Sequence, residues 1–459
     1  MNTLLWQKKF YLNDVSPLIR LSVPLMLSAL VESSIGFFST LFLAHLGQEE
    51  LAAGALVSWF FATLMVILWG TLTAVSVLVS QKYGEKNEEG VAHVLRDGLL
   101  LGLIFVIPTF YLLWNLAAIF LWLGQSATIV TLAQSYLRAL AWGVLPDFIM
   151  LILLQFLIGL GHTRISMTFM LIWVPIAIFC IYILIFGTFG LPLLGIAGIG
   201  WGMTLSYWIT TIGLFIYLAF NRKYKKYFYK IFSFRLPFFL MELLKIGVPM
   251  GFMYCIEVGF FFALTLLMGL KGQEPLAANQ ITMQYLGQII SVIFSIAQAV
   301  TVRMGHLLGE KNIDAAKHAS YAGIYISLLF TLFFSFCYLL FSEKLIAIDL
   351  NVNNPMLVQV VMYAKQFFAI CALFQLFEAV RITLFGALRA LKDTHFTLIS
   401  SIICFWIIAL PVGYILSQTP LASAGLWWGL VIGACFNVML LSFRLRTKMR
   451  YINETTNQG

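Results

Sequence analysis

Charge is what this sequence has least of. Only 10% of its 459 residues are Asp, Glu, Lys or Arg, against about 25% in an ordinary soluble domain. Together with 61% hydrophobic residues and a mean hydropathy of +0.94, that scarcity excludes a water-soluble globular fold. Common enzyme motifs are missing as well. There is no HExxH, no GxSxG and no CxxC or Cys/His pair, so an intramembrane enzyme finds no residues to work with. The six cysteines (Cys180, Cys255, Cys337, Cys371, Cys404 and Cys435) all fall in apolar runs and read as small helix-contact residues. Short alternating strands are absent too, which removes a β-barrel as the way through a membrane.

What the chain has instead is long apolar runs of the length a bilayer requires, roughly 20 residues each. Twelve are expected to span, near 17–43, 51–80, 95–122, 127–159, 165–187, 193–220, 242–268, 276–303, 318–341, 356–388, 396–417 and 421–444. They are numbered spans 1 to 12. Assigning the connections alternately to two sides of the membrane puts 23 of the 28 Lys and Arg on one side. These include Lys8, Lys9 and Arg20, then Lys82, Lys86, Arg96 and Arg164, then Arg303, Lys311, Lys317, Arg389 and Lys392, and the tail from Arg444 to Arg450. Lys271 and Lys344 face the other side, while Arg138, Lys365 and Arg381 lie within helices. Under the positive-inside rule both termini are cytoplasmic. The basic balance therefore reports topology, and no nucleic-acid partner is expected. The stretch from Met1 to Asn13 is polar with no short apolar core or cleavage site, so the first span is expected to be retained.

The sequence also contains itself twice. At an offset of 225, Val23-Pro24 falls on Val248-Pro249, Glu32 on Glu257, and His93 on His318. Gly47-Gln48-Glu49 likewise falls on Gly272-Gln273-Glu274, and Gly84-Glu85-Lys86-Asn87 on Gly309-Glu310-Lys311-Asn312. Small gaps extend the match. Gly198-x-x-Trp201-Gly202 meets Gly425-x-x-Trp428-Gly429, and Gly159-Leu160-x-x-Thr163 meets Ala390-Leu391-x-x-Thr394, which sets Asp147 opposite Glu378. Six spans per half put both repeats in the membrane the same way up, with a pseudo-twofold axis along the membrane normal. The expected fold is an all-α membrane protein of twelve helices in two six-helix lobes. Its expected parts are a cytoplasmic N-terminus (1–16), an N-lobe (17–220), a basic cytoplasmic linker (221–241), a C-lobe (242–446) and a cytoplasmic tail (447–459). The glycines from Gly195 to Gly202 open a membrane span, so they read as helix-packing residues rather than a phosphate cradle.

A charge near the bilayer centre costs about 2.5–3.5 kcal/mol on insertion scales, so buried acids face protein or water. Four qualify, and the repeat sorts them into the pairs Glu32 with Asp147 and Glu257 with Glu378. Two carboxylates at one pocket suit a hard cation such as Na⁺, or a proton taken up by one of them. Glu257 and Glu378 are the expected coupling site, with Na⁺ a possible ligand. Glu32 and Asp147 are candidates for a second, N-lobe site. Arg381 shares a helix face with Glu378, and is expected either to neutralise it structurally or to take part in the site's chemistry. Arg138 and Lys365, near span ends, can snorkel to the interface. Span 8 carries Gln280, Gln284, Gln288, Ser291, Ser295 and Gln298 at helical period, which reads as a face lining a hydrated cavity or as inter-helix glue. Tyr254, Met253 and Phe261, at helical spacing around Glu257, join Gln280, Gln284 and Gln288 as the expected cavity wall. Soft and aromatic walls suit amphipathic cations.

The chain resembles the multidrug and toxic compound extrusion (MATE) exporters, and within them the norfloxacin-exporter branch. The residues carrying the likeness are Gly247-Val248-Pro249 through Glu257, Ala277-Ala278-Asn279-Gln280, and Val302-Arg303-Met304-Gly305-His306-x-x-Gly309-Glu310. Gln375-x-x-Glu378-Ala379-Val380 and Gly386-Ala387-Leu388-Arg389-Ala390-x-Lys392-Asp393 complete it. The resemblance spans about Leu18 to Arg446. It implies alternating access and export of amphipathic or cationic small molecules, driven by Na⁺ or H⁺, with no other cofactor. It also implies a monomer in a plasma membrane, expected to be a bacterial inner membrane, with acids of spans 7 and 10 (here Glu257 and Glu378) at the cation site. Two positions depart from the family. Ser39 stands where many members have an aspartate late in span 1, and Phe374 where some sodium-coupled members have a tyrosine. A rival within the superfamily is a flippase for lipid-linked substrates, which often has extra spans and a strongly basic cavity that this sequence does not offer. A further rival is a non-transporting membrane protein, which would not need acids at duplicated midplane positions.

Overall fold

A bilayer offers no partner for backbone N–H and C=O groups, so apolar runs of this length satisfy them internally as helices. The computed structural model describes residues 2–228, 237–351 and 354–456, with side chains over 15–228, 237–351 and 354–454. The side chains of Lys8 and Lys9, and residues Lys230 and Arg235 of the basic connector, lie outside the described residues. Among the described residues every regular element is helical. Eleven helices are long and apolar enough to cross a membrane, and a pair bent by 49°, Ala127–Ala141 with Val144–Gly159, makes a twelfth span. In chain order the others are Val15–Leu46, Gln48–Gly84, Glu88–Trp122, Thr163–Phe186, Ala197–Phe220, Leu240–Gly269, Gln273–Gly309, Ile313–Asp349, Pro355–Ala390, Thr394–Leu416 and Ala424–Glu454. Each of the twelve expected segments has its helix. Many run beyond the apolar stretch that marks them, because the polar turns at their ends stay helical.

The chain divides into two compact units, Leu27–Gly251 and Phe252–Gly459 together with Met1–Met26. They are called the N-unit and the C-unit below. The N-unit core gathers Phe120, Phe148, Phe156 and Trp173. The C-unit has one cluster around Phe260, Phe367, Phe374, Phe405 and Trp427, and another around Met253, Val300, Met304 and Leu388. Spans 8 and 10 are the most buried, at 61% and 72% of their apolar windows against 22% for spans 2 and 9. A polar side chain on span 10 therefore meets protein far more often than lipid.

The duplication is visible in backbone conformation as well as in sequence. After span 2, the N–H groups of Glu85, Lys86 and Asn87 donate to the carbonyls of Gln81, Tyr83 and Lys82. After span 8, Glu310, Lys311 and Asn312 donate to His306, Leu308 and Leu307, the same pattern 225 residues on. Lys86 and Lys311 both take the left-handed conformation, with φ of 56° and 59°, which costs a non-glycine residue about 1–2 kcal/mol. Asn87 and Asn312 then cap the following helices by accepting from Gly90 and Ala315. Positive φ recurs at the gapped matches, Gly161 with Lys392 and Gly195 with Ala422. His162 donates to Leu157 as Asp393 donates to Leu388. That loop geometry supports the offset that pairs Asp147 with Glu378.

The glycine-rich entrance to span 6 packs helices. A Cβ on Gly198 would lie 2.6 Å from the Ile185 nitrogen, and one on Gly202 2.6 Å from the Ile181 Cα. Its counterpart Gly429 would meet the Ala409 carbonyl at 2.5 Å. Backbones this close leave no room for side chains between them.

Candidate functional site

In the C-unit the two predicted acids meet through Arg381. Span 7 carries Glu257, and span 10 carries Glu378 and Arg381 one turn apart. Arg381 Nη1 donates to Glu257 Oε1 at 2.6 Å and Nη2 to Glu257 Oε2 at 3.3 Å. Nε donates to Glu378 Oε2 at 2.8 Å, and Nη2 also bonds Glu378 Oε1. Every oxygen of both carboxylates thus accepts from one guanidinium, whose planar fork of five donors suits this role. Ser401 of span 11 adds a donor to Glu257 Oε1 at 3.4 Å. All three charged residues are buried, Glu257 at 7% exposure and Glu378 and Arg381 at 1% each. The rings of Phe385 and Phe405 lie 4.6 and 4.8 Å from the guanidinium carbon. Arg381 therefore neutralises Glu378, as the helix spacing suggests, and reaches Glu257 as well.

Span 11 positions Ser401 and Phe405 with an irregular helix. From Ile402 to Ala409 it is a π-helix, opening directly after Ser401. Such wide turns are rare and recur at functional sites. The residue after Phe405, Trp406, donates its indole N–H to the carbonyl of Ile256 at 3.1 Å, fixing span 11 beside Glu257.

The N-unit acids are arranged differently. Asp147, 5% exposed, accepts from the indole of Trp69 at 2.9 Å. It lies in the first turn of the second half of span 4, just past the bend. That bend leaves the Ala139 carbonyl without its usual helical donor, and Thr204 of span 6 supplies one at 2.7 Å. Thr211, also of span 6, donates to the carbonyl of Pro146 at 2.8 Å. Glu32 is exposed and lies within electrostatic reach of Asp147 rather than in contact with it. Among the described residues, no cationic side chain bonds both members of this pair as Arg381 does the other. Ser39 is half-buried on the same helix as Glu32. Among the described residues, neither unit has a group of three or more His, Cys, Asp or Glu side chains placed to hold a metal ion.

The expected cavity residues separate by exposure. Gln280, Gln284 and Gln288 are exposed along one face of span 8, Ser291 and Gln298 are half-buried, and Ser295 is buried. Ser291 and Ser295 turn their hydroxyls back onto their own helix. Tyr254 is half-buried, with its hydroxyl accepting from Arg389 at 3.0 Å and its ring edge-on to Phe294. Phe261 is half-buried against Phe260, and Met253, at 1% exposure, belongs to the core. Phe374 is fully buried in the aromatic cluster. Of the other charges within helices, Arg138 lies over the Trp114 ring and Lys365 pairs with Glu343. Sequence reasoning missed Ser401, Phe385, Phe405 and Trp69. An indole inside an apolar span is a usable signal for Trp69, but one serine among 25 carries none.

Known proteins share the repeat and the fold. The MatE family model matches the chain twice, at residues 24–183 and 249–415, one match for each copy of the repeat. A probable multidrug resistance protein NorM from Synechococcus is 30% identical over 422 residues, covering 92% of this chain and 91% of that protein. Its namesake from Oceanobacillus iheyensis is 30% identical over 430 residues, covering 92% and 94%. Among solved structures, an outward-facing multidrug resistance MATE family transporter of the MOP superfamily aligns with a TM-score of 0.86 at 20% identity. It covers 96% of this chain and 97% of that one. A MOP superfamily transporter from Pyrococcus furiosus aligns with a TM-score of 0.85 at 20% identity and the same coverage. The structures speak for the fold, and the two family matches with the 30% identities speak for descent: this chain belongs to the MatE family.

Proposed function

We propose that the chain is a secondary active exporter that exchanges amphipathic, cationic small molecules for Na⁺ or H⁺ across a plasma membrane by alternating access. Both termini would lie in the cytoplasm, following the distribution of Lys and Arg. The observation that carries the reading is the buried Glu257–Arg381–Glu378 cluster on spans 7 and 10. Three charged side chains inside a membrane-spanning unit are costly to maintain, and such residues mark ion and proton pathways. Two carboxylates against one guanidinium leave one negative charge for a coupling cation to balance. Glu32 and Asp147 are the candidates for a second site. The exposed face of Gln280, Gln284 and Gln288, with Tyr254 and Phe261, is the proposed substrate wall. The multidrug resistance names of the relatives support this substrate class.

The test is ethidium efflux from everted vesicles or proteoliposomes under an imposed Na⁺ or pH gradient, comparing wild type with Glu257→Gln. Wild type should export under at least one gradient and the variant should lose at least tenfold in rate. Normal export by the variant would remove Glu257 from the mechanism.

A further inference from the structure

We infer that Arg381 is the resident cation of the C-unit acid pair, and that it makes this pair a one-proton site closed to sodium. The inference rests on the exporter reading only for the direction in which the proton travels.

Sodium needs several oxygens turned toward one point. The four carboxylate oxygens of Glu257 and Glu378 are already turned toward the guanidinium. Ser401 spends its hydroxyl proton on Glu257. The faces of the cluster are closed by Phe385 and Phe405, which offer no oxygen. Phe374, on the same helix one turn before Glu378, is equally without one. A sodium ion could enter only by expelling Arg381 into an apolar surrounding, where an unpaired charge costs several kcal/mol.

A proton needs no such space. It can bind one carboxylate oxygen and remove the single uncompensated negative charge. The contacts identify which one. Glu378 is held through both oxygens and is 1% exposed, while Glu257 is 7% exposed and its Oε2 has the longest of the guanidinium contacts, 3.3 Å. Protonation at Glu257 Oε2 gives up only that contact. Arg381 then remains paired with Glu378 as a neutral unit, and Glu257 becomes a neutral acid. Loss of the proton to the other side of the membrane restores the starting state, so one proton binds and one leaves per cycle at this site. The other titratable or charged groups in electrostatic reach are Tyr254, which is held by Arg389, and Cys404 of span 11. Neither supplies a second carboxylate.

The experiment is thermal denaturation of the detergent-purified full chain in NaCl against choline chloride at equal ionic strength, alongside the two-gradient ethidium assay. Wild type should melt at the same temperature in both salts and transport under a pH gradient alone. Arg381→Gln removes the resident cation and should show a rise in melting temperature of several degrees specific to Na⁺. Arg381→Lys, which keeps a charge, should remain indifferent to Na⁺. A Na⁺-specific stabilisation that persists in Asp147→Asn, or export by that variant driven by a Na⁺ gradient alone, overturns the inference and leaves the exporter reading intact. Where Arg381→Gln yields no folded protein, the wild-type and Asp147→Asn measurements decide alone. Wild type that is indifferent to Na⁺ yet moves no ethidium under either gradient sustains the site assignment and removes the exporter reading.

Discussion

Glu257→Gln and Arg381→Gln should have very different effects on folding, although the two side chains touch. In Glu257→Gln the amide oxygen still accepts from Arg381 Nη1, and the pair left behind, Glu378 with Arg381, is neutral. One charge-assisted hydrogen bond becomes an ordinary one and the long contact to Oε2 is given up, a loss of about 1 kcal/mol. In Arg381→Gln two carboxylates, 7% and 1% exposed, remain without a counter-charge. Removing one partner from a buried ion pair costs about 3–5 kcal/mol. At about 1.4 kcal/mol per factor of ten, the unfolding equilibria of the two variants should differ by a factor on the order of 30 to 1,000. Titration with SDS, followed by tryptophan fluorescence in a single detergent at pH 8, resolves a gap of that size. Equal midpoints, or a less stable Glu257→Gln, would refute the charge balance on which the site rests.

Asp147→Asn keeps an acceptor for the Trp69 indole and should melt within a degree or two of wild type. Asp147→Ala orphans that donor and should cost about 1–3 kcal/mol by the same titration. Lys392→Gly should stabilise the chain by about 0.5–1 kcal/mol, because the left-handed φ of 58° at Lys392 suits glycine, as at Gly161. Asn312→Ala should cost about 1 kcal/mol through loss of the cap on Ala315, and Asn312→Asp should recover most of it. Gly202→Val drives a branched side chain into the Ile181 backbone and should prevent recovery of monodisperse protein by size exclusion, whereas Gly213→Ala, which meets nothing within 4 Å, should behave as wild type.

The fold was largely legible because a membrane imposes its rules on composition. Apolar run length counts the spans, and the repeated Gly-Glu-Lys-Asn marks where each half turns. Helix ends were not legible, since capping residues such as Asn87 and Asn312 continue helices beyond the apolar stretch. At the site, the acids announced themselves by their cost in an apolar run. Arg381 could be placed next to Glu378 from helix spacing alone. Its bond to Glu257, 124 residues away, depends on how spans 7 and 10 pack, which no local pattern encodes. The span 8 stripe shows the same limit. Its period predicted one face, but burial varies along that face, so Ser295 is enclosed while Gln280 is open.

The matching loops also bear on the ancestry of the two halves. Backbone shape at Gly161 and Lys392, and at Gly195 and Ala422, has outlasted the side chains, so dihedral angles trace the common founder where letters no longer do. By the offset of 225, Trp69 of span 2 is the sibling of Phe294 in span 8. In one descendant the aromatic position steadies an acid by donating an indole proton, and in the other it packs against Tyr254 while an arginine has taken over the acids. A founder that worked as a symmetric pair would have had two identical ion sites. Fused into one chain, its copies were free to specialise, and one half now carries a bound guanidinium where the other keeps a neutral donor.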